Sequence, residues 1–199
     1  MRKNAFILLA GGSGSRFKNN TPKQYIKIGK FDLIQHILNK IIINSKIHHI
    51  IIVYNKKFLK HLKLSLSIYK SKKIKLVEGG KCRQDSSLMG LKKLKIINPK
   101  KIIIHDACRP YIKNSDINKI LITLNKYDGC SFKIKNVDFM RIKKNNKYYQ
   151  INNKSFMTQT PQGFKFDKIY KAHTKTILKN QRDDIELINN KNYKINFFN

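Results

Sequence analysis

Short apolar runs rich in Ile and Val recur along the chain, separated by stretches in which apolar residues fall three and four positions apart. NAFILLA (4–10), HIIIVY (49–54), KIKLVEG (73–79), KKIIIHDA (100–107) and GCSFKI (129–134) predict buried strands, since each is short, β-branched and bounded by polar residues or glycine. FDLIQHILNKIIIN (31–44), KFLKHLKLSLSIYK (57–70), RQDSSLMGLKKLKII (83–97) and SDINKILITLNKY (115–127) carry the helical spacing. Strand and helix in alternation make βαβ crossovers, so the expected fold class is α/β, a mostly parallel sheet with helices on both faces. Ligands bind such sheets beyond the carboxyl ends of the strands.

After residue 134 the rhythm changes. Residues 135–158, KNVDFMRIKKNNKYYQINNKSFMT, alternate apolar and polar positions around a polar Lys-Asn turn, the pattern of a projecting β-hairpin. KFDKIYKAHTKTILKN (165–180) resumes a helix and YKINFF (193–198) predicts a last strand. No internal repeat interrupts this order, and 199 residues suit one domain spanning 1–199.

Charge changes the picture less than its size suggests. The 43 Lys and Arg against 11 Asp and Glu give a formal net charge of +32, an excess that ordinarily points to a polyanionic partner. Here the lysines are spread along the whole chain with abundant Asn and Ile, as a bias in the coding DNA would spread them. A solvated basic surface is the expectation, and nucleic acid is not expected as a partner. Cys82, Cys108 and Cys130 form neither CxxC spacing nor an even set, which fits a reducing cytoplasm better than a disulfide framework or a zinc site. AFILLA is short and runs into Gly-Gly without a small-residue cleavage region, so no signal peptide is expected. No run nears the roughly 18 apolar residues that span a bilayer, so no membrane partner is expected either.

Candidate chemistry gathers where strands end. LLAGGSGSRFKNNTPKQY (8–25) puts a glycine-rich loop after the first strand, where backbone N–H groups can approach a phosphate. It lacks GxxxxGK[ST], and Phe17 stands where GxGxxG needs its third glycine. Arg16 and Lys23 instead supply two cations suited to a triphosphate, against the plainer alternative of a strand-to-helix turn with surface charges. EGGKCRQDSSLMGL (78–91) opens a helix after a Gly-Gly turn, and Asp85 or Ser86 could simply cap it. HDACRP (105–110) ends the fourth predicted strand with Asp106 and Arg109, placed for a sugar hydroxyl, a cation or a phosphate, or else paired with each other. QTPQGF (159–164) reads by itself as a Pro-containing loop. The six histidines offer no metal-ligand spacing or nucleophilic dyad; His48 and His49 read as structural or exposed, and His105 points to the side of the strand opposite Asp106. Cys82 and Cys108 read as small fillers rather than reactive thiols.

Taken in order, LAGGSGSRF…PKQY, GGKCRQDSSLMGL, HDACRP and QTPQGF resemble the 2-C-methyl-D-erythritol 4-phosphate cytidylyltransferases, the CTP-consuming enzymes of the non-mevalonate isoprenoid pathway, over nearly the whole chain. The resemblance implies a Rossmann-like nucleotidyltransferase domain whose β-arm, residues 135–158, is exchanged across a cytoplasmic homodimer. It implies that Ala10, Gly11, Gly12, Gly14 and Ser15 wrap CTP, that Arg16 and Lys23 stabilise the transition state, and that Gly80 and Ser86 meet the cytidine portion. Asp106, Arg109 and Thr160 would face the methylerythritol phosphate, whose phosphate oxygen attacks the α-phosphorus of CTP and expels pyrophosphate. Mg²⁺ is the implied cofactor, held largely by the triphosphate.

The sequence departs from the family pattern at four places. Asp138 is kept, but Phe139 stands where the family has a threonine that contacts phosphate, and Asn152 by spacing, or Lys154 with a shortened loop, stands where its arm carries an arginine. Lys154 could supply charge to the substrate but not a bidentate fork. Arg182 replaces the threonine before the acidic pair. The family's closing Asn-x-Lys-x-Thr stretch and helix have no counterpart before Asn199, so a truncated or degenerate form, with lower activity and stability, is the expectation. Two alternatives stay open: a cytidylyltransferase for another polyol phosphate such as ribitol 5-phosphate, and a non-catalytic, basic nucleic-acid-binding relative.

Overall fold

Strand and helix alternate much as the apolar pattern requires. The computed structural model describes residues 3–14, 21–137, 140–150, 155–177, 180–181, 183–189 and 192–198. In chain order these form β1 (Ala5–Ala10), β2 (Lys27–Ile28), β3 (Phe31–Asp32), α1 (Leu33–Ile41), β4 (His49–Tyr54), α2 (Leu59–Leu66), β5 (Ile74–Glu78), α3 (Arg83–Leu94) and β6 (Lys101–Asp106). Then follow α4 (Asn114–Thr123), β7 (Gly129–Lys135), β8 (Arg141–Lys144), β9 (Lys147–Gln150), β10 (Phe156–Lys165), α5 (Phe166–Lys175), α6 (Asp184–Asn189) and β11 (Ile195–Phe198). Single 3-10 turns sit at Lys23–Tyr25 and Lys56–Phe58.

Among the described residues the central sheet has seven strands in the order β11-β7-β10-β6-β1-β4-β5. All run the same way except β10, which is antiparallel to both β6 and β7. Alternation along β1 and β4 divides the core between two faces. Phe6, Leu8, Ile50 and Ile52 pack with α1, α2 and α4, whereas Ile7, Ile51, Val53 and Ile104 pack with α3, α5 and α6. Because β1 and β4 are buried on both sides, the period-2 signal disappears and only a continuous apolar run remains in the sequence.

The helices are shorter than their apolar runs. Residues 31–44 do not start as helix: Phe31 and Asp32 pair with Ile28 and Lys27, and Asp32 then caps α1 in a reciprocal box with Gln35. The run ends with Ile42 at the C-cap, and Ile43 is exposed. Residues 57–70 form a 3-10 turn followed by a helix that stops at Leu66. QTPQGF is not a loop. It is the middle of β10, with a register shift between Gln159 and Gln162 that accommodates Pro161, a residue unable to donate to the ladder.

The stretch 135–158 also divides differently from the expected single hairpin. Its ends belong to the central strands β7 and β10, and the separate ribbon is β8–β9, exposed along both strands. Asn145 and Asn146 turn it with φ of 48° and 57°, the left-handed pair of a two-residue hairpin turn. Asp138, Phe139, Asn152 and Lys154 lie outside the described residues.

His105 fastens the end of β6. Its ring packs edge-on to Phe6, and Nε2–H donates to the Arg109 carbonyl at 2.9 Å, tying back the turn that carries Arg109. Burial pushes its pKa down to about 4, partly offset by the Arg109 carbonyl. As pH falls from about 6.5 towards 4, the unfolded chain takes up a proton that the folded ring refuses, so stability drops over this window and levels off below it. Denaturant titrations across that range are expected to show a loss of about 3 kcal/mol that His105→Asn largely removes; an unchanged slope in the variant contradicts the assignment.

Candidate active site

Strands β1, β4, β5 and β6 are mutually parallel, so the turns leaving their carboxyl ends converge. There they surround a cavity of about 560 Å³ whose lining includes Gly11, Gly12, Ser13, Gln24, Asn55, Gly80, Lys81, Cys82, Arg83, Ser86, Asp106, Cys108 and Arg109. A recess of about 290 Å³ adjoins it between β4 and β5, sharing Gly11, Asn55, Gly80, Lys81 and Ser86.

The first wall is the glycine loop, and Gln24 holds it. The Gln24 amide donates one N–H to the Ala10 carbonyl at 2.8 Å and the other to the Gly12 carbonyl at 2.9 Å. Asn55 donates to the Gly11 carbonyl at 3.4 Å from the other side. In a trans peptide the N–H points opposite the preceding carbonyl, so the amides of Gly11 and Ser13 face away from Gln24. Gly14 has φ +70°, a left-handed turn that brings the loop to the backbone of Pro22 and Lys23. Gln24 sits in the PKQ segment and is buried, yet no residue-level signal distinguished it from a surface glutamine.

The second wall is the start of α3. Gly80 approaches Asp85 so closely that a Cβ would lie 2.2 Å from the Asp85 Cβ, which only glycine avoids. Its N–H donates to Ser86 Oγ at 3.2 Å, leaving the Ser86 hydroxyl proton as a donor. The helix cap is neither Asp85 nor Ser86: Cys82 occupies the N-cap and its Sγ accepts the Asp85 N–H at 3.4 Å.

The third wall is charged. Asp106 meets Arg109 at 3.4 Å through one oxygen and Arg83 at 3.3 Å through the other. Arg83 also reaches Asp184 at 2.7 Å, and Asp184, fully buried, accepts from His173 Nε2 at 3.0 Å. Burial alone would raise the Asp184 carboxyl, but Arg83 and His173 win and hold it down at about 2. Arg83 is likewise opposed by burial and kept above its usual range by the two carboxylates. Cys108, exposed at the cavity, donates to Gln24 Oε1 at 3.7 Å; desolvation and Asp106 push its thiol up, against a downward pull from Lys23 and Arg109.

The structure therefore brings Gly11, Gly12, Gly80, Ser86, Asp106 and Arg109 to one cavity, with Ala10 and Gly14 behind the loop and Lys23 beside it. Thr160 sits behind Asp106, where its hydroxyl accepts the Asp106 N–H at 3.3 Å. Ser15, Arg16 and Lys154 lie outside the described residues, as does Arg182. Asn55, Lys81 and Arg83 join the cavity although the sequence singled out none of them for it.

The family model described as IspD, 2-C-methyl-D-erythritol 4-phosphate cytidylyltransferase, matches residues 5–197. The chain belongs to this family. Among curated relatives, it is 35% identical to a bifunctional IspD/IspF enzyme of Pelagibacter ubique over 83% of this chain, although it spans only 44% of that protein's length. A 2-C-methyl-D-erythritol 4-phosphate cytidylyltransferase of Thermosipho melanesiensis is 34% identical over 85% of this chain and 76% of its own. In three dimensions a 4-diphosphocytidyl-2C-methyl-D-erythritol synthase of Anaerococcus prevotii superposes with a TM-score of 0.85 at 25% identity, covering 99% of this chain and 86% of that one. The α/β fold with a mostly parallel seven-stranded sheet is thus the IspD fold.

Within that IspD frame the Gln24 clamp has a measurable consequence. Gln24→Glu replaces the double donor by acceptors and leaves the Ala10 and Gly12 carbonyls without their N–H partners. Thermal or denaturant unfolding is expected to show a loss of about 2–4 kcal/mol, with faster hydrogen exchange at residues 11–13; wild-type stability in the variant contradicts the clamp.

Proposed function

We propose that the chain transfers the cytidylyl group of CTP to 2-C-methyl-D-erythritol 4-phosphate, releasing pyrophosphate and supplying an isoprenoid precursor pathway. Membership of a cytidylyltransferase family makes it a nucleotidyltransferase. The observation that carries the reading is the Gln24-clamped glycine loop opposite the Asp106–Arg109 corner, one wall shaped for a triphosphate and the other for a second, phosphorylated substrate.

In this scheme the amides of the loop after β1 cradle the triphosphate, and the recess beside Gly80 and Ser86 takes the cytidine. Asp106 and Arg109 orient the acceptor so that its phosphate oxygen lies in line with the α-phosphorus. That oxygen forms the new P–O bond while the bond to the pyrophosphate oxygen breaks. The attacking phosphate is already anionic, so the site needs no strong base. Lys23 and Arg16 offset the negative charge that grows on the equatorial oxygens, where a fixed cation stabilises the transition state more than the ground state.

Among the described residues no cluster of three or more His, Cys, Asp or Glu could cage a metal ion. Asp106 is the carboxylate of the cavity lining, which suits a Mg²⁺ held mainly by phosphate oxygens and water. When bound, Mg²⁺ supplies further charge neutralisation; Asp106 is the residue placed to touch it.

A homodimer, a single domain and a cytoplasmic location belong to the same reading. The β8–β9 ribbon exposes Ile142, Tyr148 and Tyr149, apolar surface that a second copy would cover. The cysteines are free, in keeping with a reducing compartment, and no helix among the described residues is long and apolar enough to cross a membrane.

Pyrophosphate release from CTP with methylerythritol phosphate, set beside ribitol 5-phosphate, tests the reading. Turnover with the former at a kcat/KM at least about tenfold higher is expected, and Lys23→Ala should lower it about 100-fold or more. Preference for ribitol 5-phosphate overturns the substrate, and salt-sensitive RNA binding without turnover overturns the reaction.

A further inference from the structure

Arg83 lies at the first turn of α3 and is held from two sides, by Asp106 on the cavity side and by Asp184 behind it. Asp184 opens α6 and is fully buried, its second oxygen accepting from His173 of α5, itself buried. A carboxylate hidden from water at a helix start is costly, and apolar packing alone would not select one there. A single ion pair between Arg83 and Asp106 would leave the guanidinium free to swing about one contact. The second carboxylate, itself steadied by His173, removes that freedom.

We infer that the His173–Asp184 pair makes Arg83 a positioning residue that fixes the Asp106 carboxylate, and with it the Asp106–Arg109 corner, for the phosphorylated acceptor. This rests on the reaction proposed above. Arg83 acts through Asp106 and not on CTP, so its removal from this arrangement shows in acceptor binding. It also ties α5 and α6, which lie on one face of the sheet, to the end of β6, so ordering of the 183–189 segment and acceptor affinity are linked.

Asp184→Asn keeps the size of the side chain but not its charge. Its KM for the acceptor is expected to rise at least about tenfold with KM for CTP little changed, while the unfolding midpoint falls because a buried ion pair is broken. Because the effect passes through Asp106, the double variant Asp184→Asn/Asp106→Asn should bind acceptor no more weakly than Asp106→Asn alone. Equal rises in both KM values, or effects that multiply in the double variant, overturn the inference. If Asp184→Asn does not fold, His173→Gln, which keeps a side-chain N–H donor, takes its place with a shift in the same direction of about threefold; no shift there counts against it. The Nε–Hε NMR signal of Arg83 gives a readout without turnover. It should be sharp and slowly exchanging in the wild-type chain and broadened in Asp184→Asn; identical signals overturn the inference. A chain inactive with every acceptor refutes the proposed reaction, and the Arg83 signal then decides this inference alone.

Discussion

Two carbonyl oxygens, those of Ala10 and Gly12, must be satisfied from one side if the loop after β1 is to turn amides to the other. Gln24 does this with both protons of one side-chain amide. Everything around the cavity is arranged about that fixed loop. Gly14 folds it back onto Pro22 and Lys23, Asn55 steadies Gly11 from β4, and Cys108 accompanies the Gln24 oxygen from the end of β6. A buried amide with this much satisfied bonding is stiff, and a stiff ring of N–H groups binds a polyanion without first being ordered.

Opposite the loop, the protein solves a different problem, that of pairing each charged group with an opposite one in a half-buried corner. Asp106 and Asp184 carry the negative charges, Arg83 and Arg109 the positive ones, and each carboxylate has at least one guanidinium within 3.4 Å. Two carboxylates matched by two guanidinium groups leave this corner locally neutral, and Lys81 lines the same cavity. The chain's large overall charge is not needed for this arrangement, in keeping with lysines spread along the whole sequence.

Much of the fold was legible because β1, β4 and β6 are apolar runs between helical periods, and such runs mark strands buried on both faces. β10 was not, since Pro161 and Gly163 make its centre look like a turn and only pairing with β6 and β7 reveals it as a strand. The glycine loop, Gly80, Ser86, Asp106 and Arg109 were visible as motifs at strand ends. Gln24 and Arg83 stand within those motifs with no role legible in the sequence, because a buried donor and a bridging guanidinium are defined by partners 14 and 101 residues away. Cys82 reads in the sequence as filler and in the structure is a helix cap, a place where sulfur is an uncommon substitute for the usual hydroxyl or carboxylate.

A structure of the chain with CTP and Mg²⁺ bound tests the central claim most directly. The account predicts the triphosphate lying on the amides of residues 11–14 with both Gln24 bonds intact, cytosine in the recess beside Ser86, and Lys23 at the phosphates. A nucleotide bound elsewhere, or one that enters only after Gln24 has released Ala10 and Gly12, would contradict it.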